Sequence, residues 1–262
     1  MKQYRLFMLL ASVLLLAGLN SCSHEEFSES ALPEKGLPLS LNVISSSYAP
    51  AGVENTGTRT SEEGYTTRFT SGDRIGILQI ITPDNGEKQY KNYCCTVGDD
   101  GNWSSDQPLI HQSGNVNYIA YYPYQKVNNE AELNAYLADF TPLQDQSTPE
   151  GYTNSDLMKG EGIVSNTTLT VTLQHLMALI VVEVQYPSDL AETSLVVSWE
   201  DGKILYPVVG QEGVFRYLVR PNVAISLEGG YPYYSGTQKF KIQAEVSELL
   251  PARYLLYKVD AE

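Results

Sequence analysis

Residues 168–184 read TLTVTLQHLMALIVVEV, and this stretch decides the fold class. In its first half Leu169, Val171 and Leu173 alternate with Thr168, Thr170 and Thr172, the period of two of a strand with one buried face. Residues 176–184 are almost continuously apolar, so a strand there needs cover on both faces. The alternation recurs upstream, where Leu37, Leu39, Leu41 and Val43 oppose Ser40 and Asn42. Strands are expected over 74–81 and 90–97, joined by Pro83-Asp84-Asn85-Gly86, whose residues supply the positive φ of a tight turn. Further short strands follow to residue 259. Only Leu133, Tyr136, Leu137 and Phe140, behind a capping Asn129, show a helical period. The chain is therefore expected to be all-β with one short helix. Short strands at this spacing suggest β-sandwiches, and the length suits two, over residues 37–164 and 165–262.

Of 262 residues, 42% are apolar, enough for sizeable cores. Asp and Glu number 31 against 17 Lys and Arg, a net charge of −14. That excess argues against nucleic acid as a partner, because sequence-independent binding rests on neutralising phosphates. His24, His111 and His175 are isolated along the chain, and the adjacent Cys94 and Cys95 point to opposite faces of a strand. No metal site and no cofactor are expected. A Gly-x-Ser-x-Gly elbow and a phosphate-cradling glycine loop are both missing, and carboxylate pairs such as Glu62-Glu63 sit in polar loops, so no catalytic residue and no enzyme activity are expected. His175, inside the apolar run, reads as a hydrogen-bonded core histidine.

Lys2 and Arg5 precede an apolar run over 6–19, too short to span a bilayer, which needs about 20 residues. The run ends at Leu19-Asn20-Ser21-Cys22, which resembles the lipobox of bacterial lipoproteins. The resemblance implies a signal peptide over 1–21, lipidation of Cys22, and a location on the outer membrane. Ser23-His24-Glu25-Glu26 resembles the acidic export signal of Bacteroidetes surface lipoproteins. Residues 22–36 read as a flexible tether rich in Ser, Glu and Pro.

Several segments taken in order resemble the fimbrillin (Mfa-like) pilin family of the Bacteroidales. They are Thr58-Arg59-Thr60, Phe69-Thr70-Ser71-Gly72-Asp73-Arg74-Ile75-Gly76, Ile119-Ala120-Tyr121-Tyr122-Pro123-Tyr124, Ser155-Asp156-Leu157-Met158 and Leu173-Gln174-His175-Leu176-Met177-Ala178. The resemblance implies two tandem transthyretin-like Greek-key sandwiches and a fimbrial subunit or adhesin component exported as a lipoprotein. It also implies proteolysis after an Arg in the linker over 50–72, for which Arg59 is the first candidate and Arg68 the second. The first strand, carrying Leu37, Leu39, Leu41 and Val43, would then be displaced by a strand of another fimbrial subunit. The alternative expectation is a non-polymerising, glycan-binding surface lipoprotein, with Tyr121 or Tyr233 of the two Tyr-Pro clusters against host or bacterial sugars.

Overall fold

The computed structural model describes residues 36–51, 65–112, 114–185, 198–199, 202–222, 226–233, 236–243 and 249–260. The chain opens with β1 (Ser40–Ser45) and β2 (Ala49–Pro50). Next come β3 (Arg74–Thr82), β4 (Gln89–Val97), β5 (Trp103–Ser105) and β6 (Asn115–Tyr122). Two helices follow, α1 (Glu130–Asp139) and α2 (Pro149–Thr153). The strands β7 (Met158–Ser165), β8 (Thr168–His175) and β9 (Ala178–Gln185) come after them. The remainder holds β10 (Ser198–Trp199), β11 (Tyr206–Pro207), β12 (Val214–Val219), β13 (Ser226–Tyr233), β14 (Gly236–Gln243) and β15 (Arg253–Asp260).

The all-β class is as expected. A seven-stranded sheet runs in the order β1-β8-β7-β6-β3-β4-β5, and a five-stranded sheet in the order β11-β12-β9-β15-β2. A third sheet is β10-β13-β14. The inner strand β3, between β6 and β4, is buried on both faces because Ile75 and Ile77 enter one apolar cluster while Leu78 and Ile80 enter another. The first cluster draws on both edges of the seven-stranded sheet, with Leu39 and Leu41 at one end and Trp103 of β5 with the following Leu109 at the other. The sheet therefore curls. The chain just before β1 meets the chain just after β5 through an antiparallel bridge between Pro38 and Ile110. On the other face of β3, α1 seals the second cluster with Leu133, its fully buried residue. The Asn129 side chain caps α1 by accepting from the backbone N–H of Glu132 at 2.9 Å.

The structure departs from the sequence expectations in two places here. Among the described residues there are two helices rather than one. The second, α2, is a short turn set by its start: Thr148 Oγ1 accepts from the N–H of Gly151, and Pro149 supplies a preset φ at the first position. It has no apolar period to betray it. The change of sheet also falls later than residue 165. β7 and β8 form a hairpin within the first sheet, closed at Asn166 with φ 53°, and the chain crosses to the second sheet at Leu176-Met177, just ahead of β9. The alternating half of residues 168–184 is thus the last strand of one sheet and the continuous half the middle of the next.

β9 is central in the five-stranded sheet, flanked by β12 and β15. Its two faces feed two clusters, Ala178, Ile180, Val182 and Val184 on one side and Leu179 and Val181 on the other. This explains the unbroken apolar run. Among the described residues three strand pairs are parallel: β1 with β8, β15 with β9, and β15 with β2.

Candidate functional site

Residues 36–51 form a strap that occupies an edge of both main sheets. Its first half is β1, paired in parallel with β8 from Ser40 opposite Thr168 to Ser45 opposite Leu173. Its second half is β2, paired in parallel with β15 at Ala49 opposite Arg253. Ahead of β1, the Leu39 N–H donates to the Leu109 carbonyl at 2.7 Å and the His111 N–H to the Leu37 carbonyl at 3.3 Å. The strap therefore lies in a groove between β8 and residues 109–111.

The alternation places its side chains. Leu39 is buried, and Leu41 and Val43 are half-buried against Ile75, Ile77, Tyr93, Leu169 and Val171. Burying one such aliphatic side chain is worth about 1.5–3 kcal/mol. Leu37 shares their parity but is 42% exposed, because it precedes the pairing with β8 and stands at the mouth of the groove. Of the four residues expected to face inward, it alone does not. The wall opposite β8 is held independently of the strap. Gln79, fully buried, donates from Nε2 to the Ile110 carbonyl at 2.9 Å and accepts at Oε1 from the Tyr93 hydroxyl at 3.0 Å.

Where the strap passes from one sheet to the other it crosses a buried polar cluster. Asp156 Oδ1 accepts from the Tyr48 hydroxyl at 2.8 Å and lies 2.8 Å from His175 Nδ1. Its Oδ2 accepts from the Thr67 hydroxyl at 2.7 Å. His175 Nε2 faces the Ser46 carbonyl at 2.8 Å, which can only accept, so Nε2 carries a proton and Nδ1 shares one with Asp156. The Tyr48 ring stacks on the imidazole with centroids 3.9 Å apart. Both Asp156 and His175 are 1% exposed. Burial, reinforced by the Asp156 carboxylate, holds the Tyr48 hydroxyl well above the usual tyrosine range, so it remains a donor.

His175 is thus the hydrogen-bonded core histidine expected, with both nitrogens and one ring face committed to the protein. Its partners were not foreseen. Tyr48 and Asp156 lie 108 residues apart, and the sequence marked Asp156 only as a member of the family-like segment Ser155-Asp156-Leu157-Met158.

The remaining expected sites divide clearly. Cys22 and Arg59 lie outside the described residues. Arg68 is exposed, immediately after a segment pinned to the strap: Ser45 Oγ donates to the Thr67 carbonyl at 2.7 Å and the Tyr48 N–H to the Tyr65 carbonyl at 3.1 Å. It lines a cleft of about 650 Å³ with Arg74, Tyr65, Tyr124 and Tyr206. Tyr121 is fully buried, with its hydroxyl within hydrogen-bond distance of both the Gln125 carbonyl and Asn92 Oδ1, so its ring offers no face to a sugar. Of the adjacent cysteines, Cys95 enters the core and burial pushes its thiol up to about 12, whereas Cys94 is half-buried.

The fold is similar to that of solved fimbrial proteins. A fimbrial protein of Bacteroides ovatus superposes with a TM-score of 0.61 at 21% identity, covering 86% of this chain and 50% of that one. A cell adhesion protein of the same species gives 0.58 at 15% identity, covering 86% of this chain and 92% of that one. The sequence itself carries the family. The fimbrillin-like profile matches residues 58–203, and the chain belongs to that family. A Bacteroides ovatus protein named for a fimbrium tip subunit, Fim1C, is 29% identical over 203 residues, which is 70% of this chain and 35% of the relative. The chain spans about a third of that relative's length.

Proposed function

We propose that this protein is a surface fimbrial subunit whose strap, residues 36–51, is a plug that a strand from another subunit replaces. The observation that carries the proposal is the position of the strap. Its ladder partners are the edges of β8 and β15, with single bridges to Ile110 and Thr66 besides, and both edges retain their pairing to β7 and β9 without it. An edge strand in a preformed groove is the element that β-augmentation can exchange. Residues 52–64, which contain Arg59, join the strap to the rest of the chain, so a cut there leaves it held by non-covalent contacts alone. Arg59 is the better candidate for the cut. Cleavage at Arg68 would require a protease to pull out residues 65–67, which bond to the strap and to Asp156. Cys22 acts as the lipid anchor in the outer membrane, and the chain works by binding and assembly rather than catalysis.

The test is limited digestion of the chain from Cys22 onward with a protease specific for Arg. Mass spectrometry should find a cut within 52–64, and size-exclusion chromatography should then show the strap fragment leaving as oligomers appear. A cut chain that keeps its strap and stays monomeric overturns strand exchange. It would favour the non-polymerising glycan binder, for which the cleft beside Tyr124 is the site to probe. For the anchor, Cys22→Ser should abolish incorporation of labelled fatty acid in the producing bacterium; continued labelling refutes it.

A further inference from the structure

The apolar half of the groove is undemanding. Any strand with aliphatic residues at three alternate positions could fill the places of Leu39, Leu41 and Val43; the side-chain bonds from Ser40 to Thr168 and from Ser47 to Thr66 are exposed and replaceable by water, and that from Ser45 to the Thr67 carbonyl is part-buried. The polar half is different. When the strap leaves, the buried Asp156 carboxylate loses the Tyr48 hydroxyl, and His175 loses both the Ser46 carbonyl and the ring stacked on its face. Thr67 remains on the other carboxylate oxygen but does not reach the vacated side.

From this asymmetry we infer that the Asp156–His175 pair reads the incoming strand, admitting one that brings a tyrosine to the place of Tyr48. The inference rests on the strand-exchange reading above and deepens it by stating the chemistry of the partner. The required pattern follows from the register. Aliphatic residues stand at the first, third and fifth positions, as at 39, 41 and 43, and a tyrosine stands nine residues after the first, as at 48. That last spacing is odd, so an uninterrupted alternating strand turns the wrong side chain towards the pair. The partner strand must break its alternation where this strap does, between Ser45 and Tyr48, as it leaves β8 for β15. A phenylalanine would fill the same volume and leave the carboxylate short of a donor in a dry site. Sites built around a substrate hydroxyl reject analogues lacking it far more strongly than analogues of slightly different size.

Peptides provide the test. A chain with a specific protease site placed within 55–60 is cut, and fluorescent peptides of residues 37–51 are offered as competitors for the strap's place. One peptide has the native sequence, one carries Tyr48→Phe and one carries Leu41→Asp. Entry is followed by fluorescence anisotropy and native mass spectrometry. The native peptide should enter, Leu41→Asp should not, and Tyr48→Phe should bind about tenfold or more weakly, the cost of one buried acceptor left without its donor. Equal entry of the native and Tyr48→Phe peptides overturns the reading role of Asp156–His175 and leaves strand exchange standing. Entry of neither overturns strand exchange, and this inference with it. As a cross-check, an Asp156→Asn body should narrow the gap between the two peptides; an unchanged gap locates the discrimination elsewhere and refutes the assignment to Asp156.

Discussion

Replacing Asp156 by alanine should lower the stability of the folded chain by about 3–5 kcal/mol, measured as the shift in a denaturant midpoint at constant slope. The carboxylate is the common acceptor for Tyr48, Thr67 and His175, of which Tyr48 and His175 are buried with it and Thr67 is half-buried. Removing it strands two hydroxyls and leaves the imidazole without the partner that shares its proton. Local effects should exceed global ones. The Ser46 N–H, bonded to the Leu173 carbonyl, and the Tyr48 N–H, bonded to the Tyr65 carbonyl, should lose most of their protection from hydrogen exchange, because the strap is held at those points through side chains that Asp156 orders. Asp156→Asn keeps an acceptor for Tyr48, neutral and weaker than the carboxylate, and should cost clearly less. Asp139→Ala, at the exposed end of α1, is the control and should stay within about 0.5 kcal/mol of the native chain. A midpoint shift for Asp156→Ala no larger than the control would show that the cluster does not hold the strap.

Gly160→Ala should be at least as damaging, by about 3–5 kcal/mol, or should prevent folding altogether. Gly160 lies in β7, and a Cβ there would stand 2.0 Å from the Thr172 carbonyl oxygen of β8 and 2.7 Å from its carbon. The obstacle is backbone, which has no rotamer to offer. Relief would require β8 to move away from β7, and β8 is the strand on which the strap is laid. The same substitution at Gly236, with nothing within 4 Å of the added methyl, should change stability by less than about 0.5 kcal/mol. Thermal unfolding of the two variants side by side tests the argument: similar midpoints would mean that β7 and β8 do not approach this closely at Gly160.

These two sites differ in how far they could be read from the chain. The strand β8 was legible in Leu169, Val171 and Leu173, because one-sided burial writes a period of two directly into sequence. The helix α1 was legible through Leu133 and Leu137, since a helix that covers a sheet needs an apolar stripe. The turn of α2 was not, being made by a cap and a proline with a single buried residue, Gly151. Parallel pairing of β1 with β8 was equally silent, because the register joins Ser40 to Thr168 and local patterning carries no information across such a span. For the same reason the aliphatic face of the strap was foreseen while its lock was not. Leu39, Leu41 and Val43 announce themselves by spacing, whereas Tyr48, Asp156 and His175 become neighbours only once both sheets exist. The family resemblance touched Asp156 and His175 as motif members without saying that they meet.

One strap capping two sheets also sets a constraint on timing. Exposed strand edges are templates for indiscriminate pairing, and folded proteins keep them covered or interrupted. Departure of the strap after a cut would uncover β8 and β15 together, turning a self-contained chain into one with two adhesive margins. Such a molecule inside the cell would find other unfolded or edge-bearing chains before it found its proper neighbour. Under the strand exchange proposed above, the uncut strap would act as a safety catch for transit, and the place of cleavage would decide whether the opened chain becomes an ordered fibre or an aggregate.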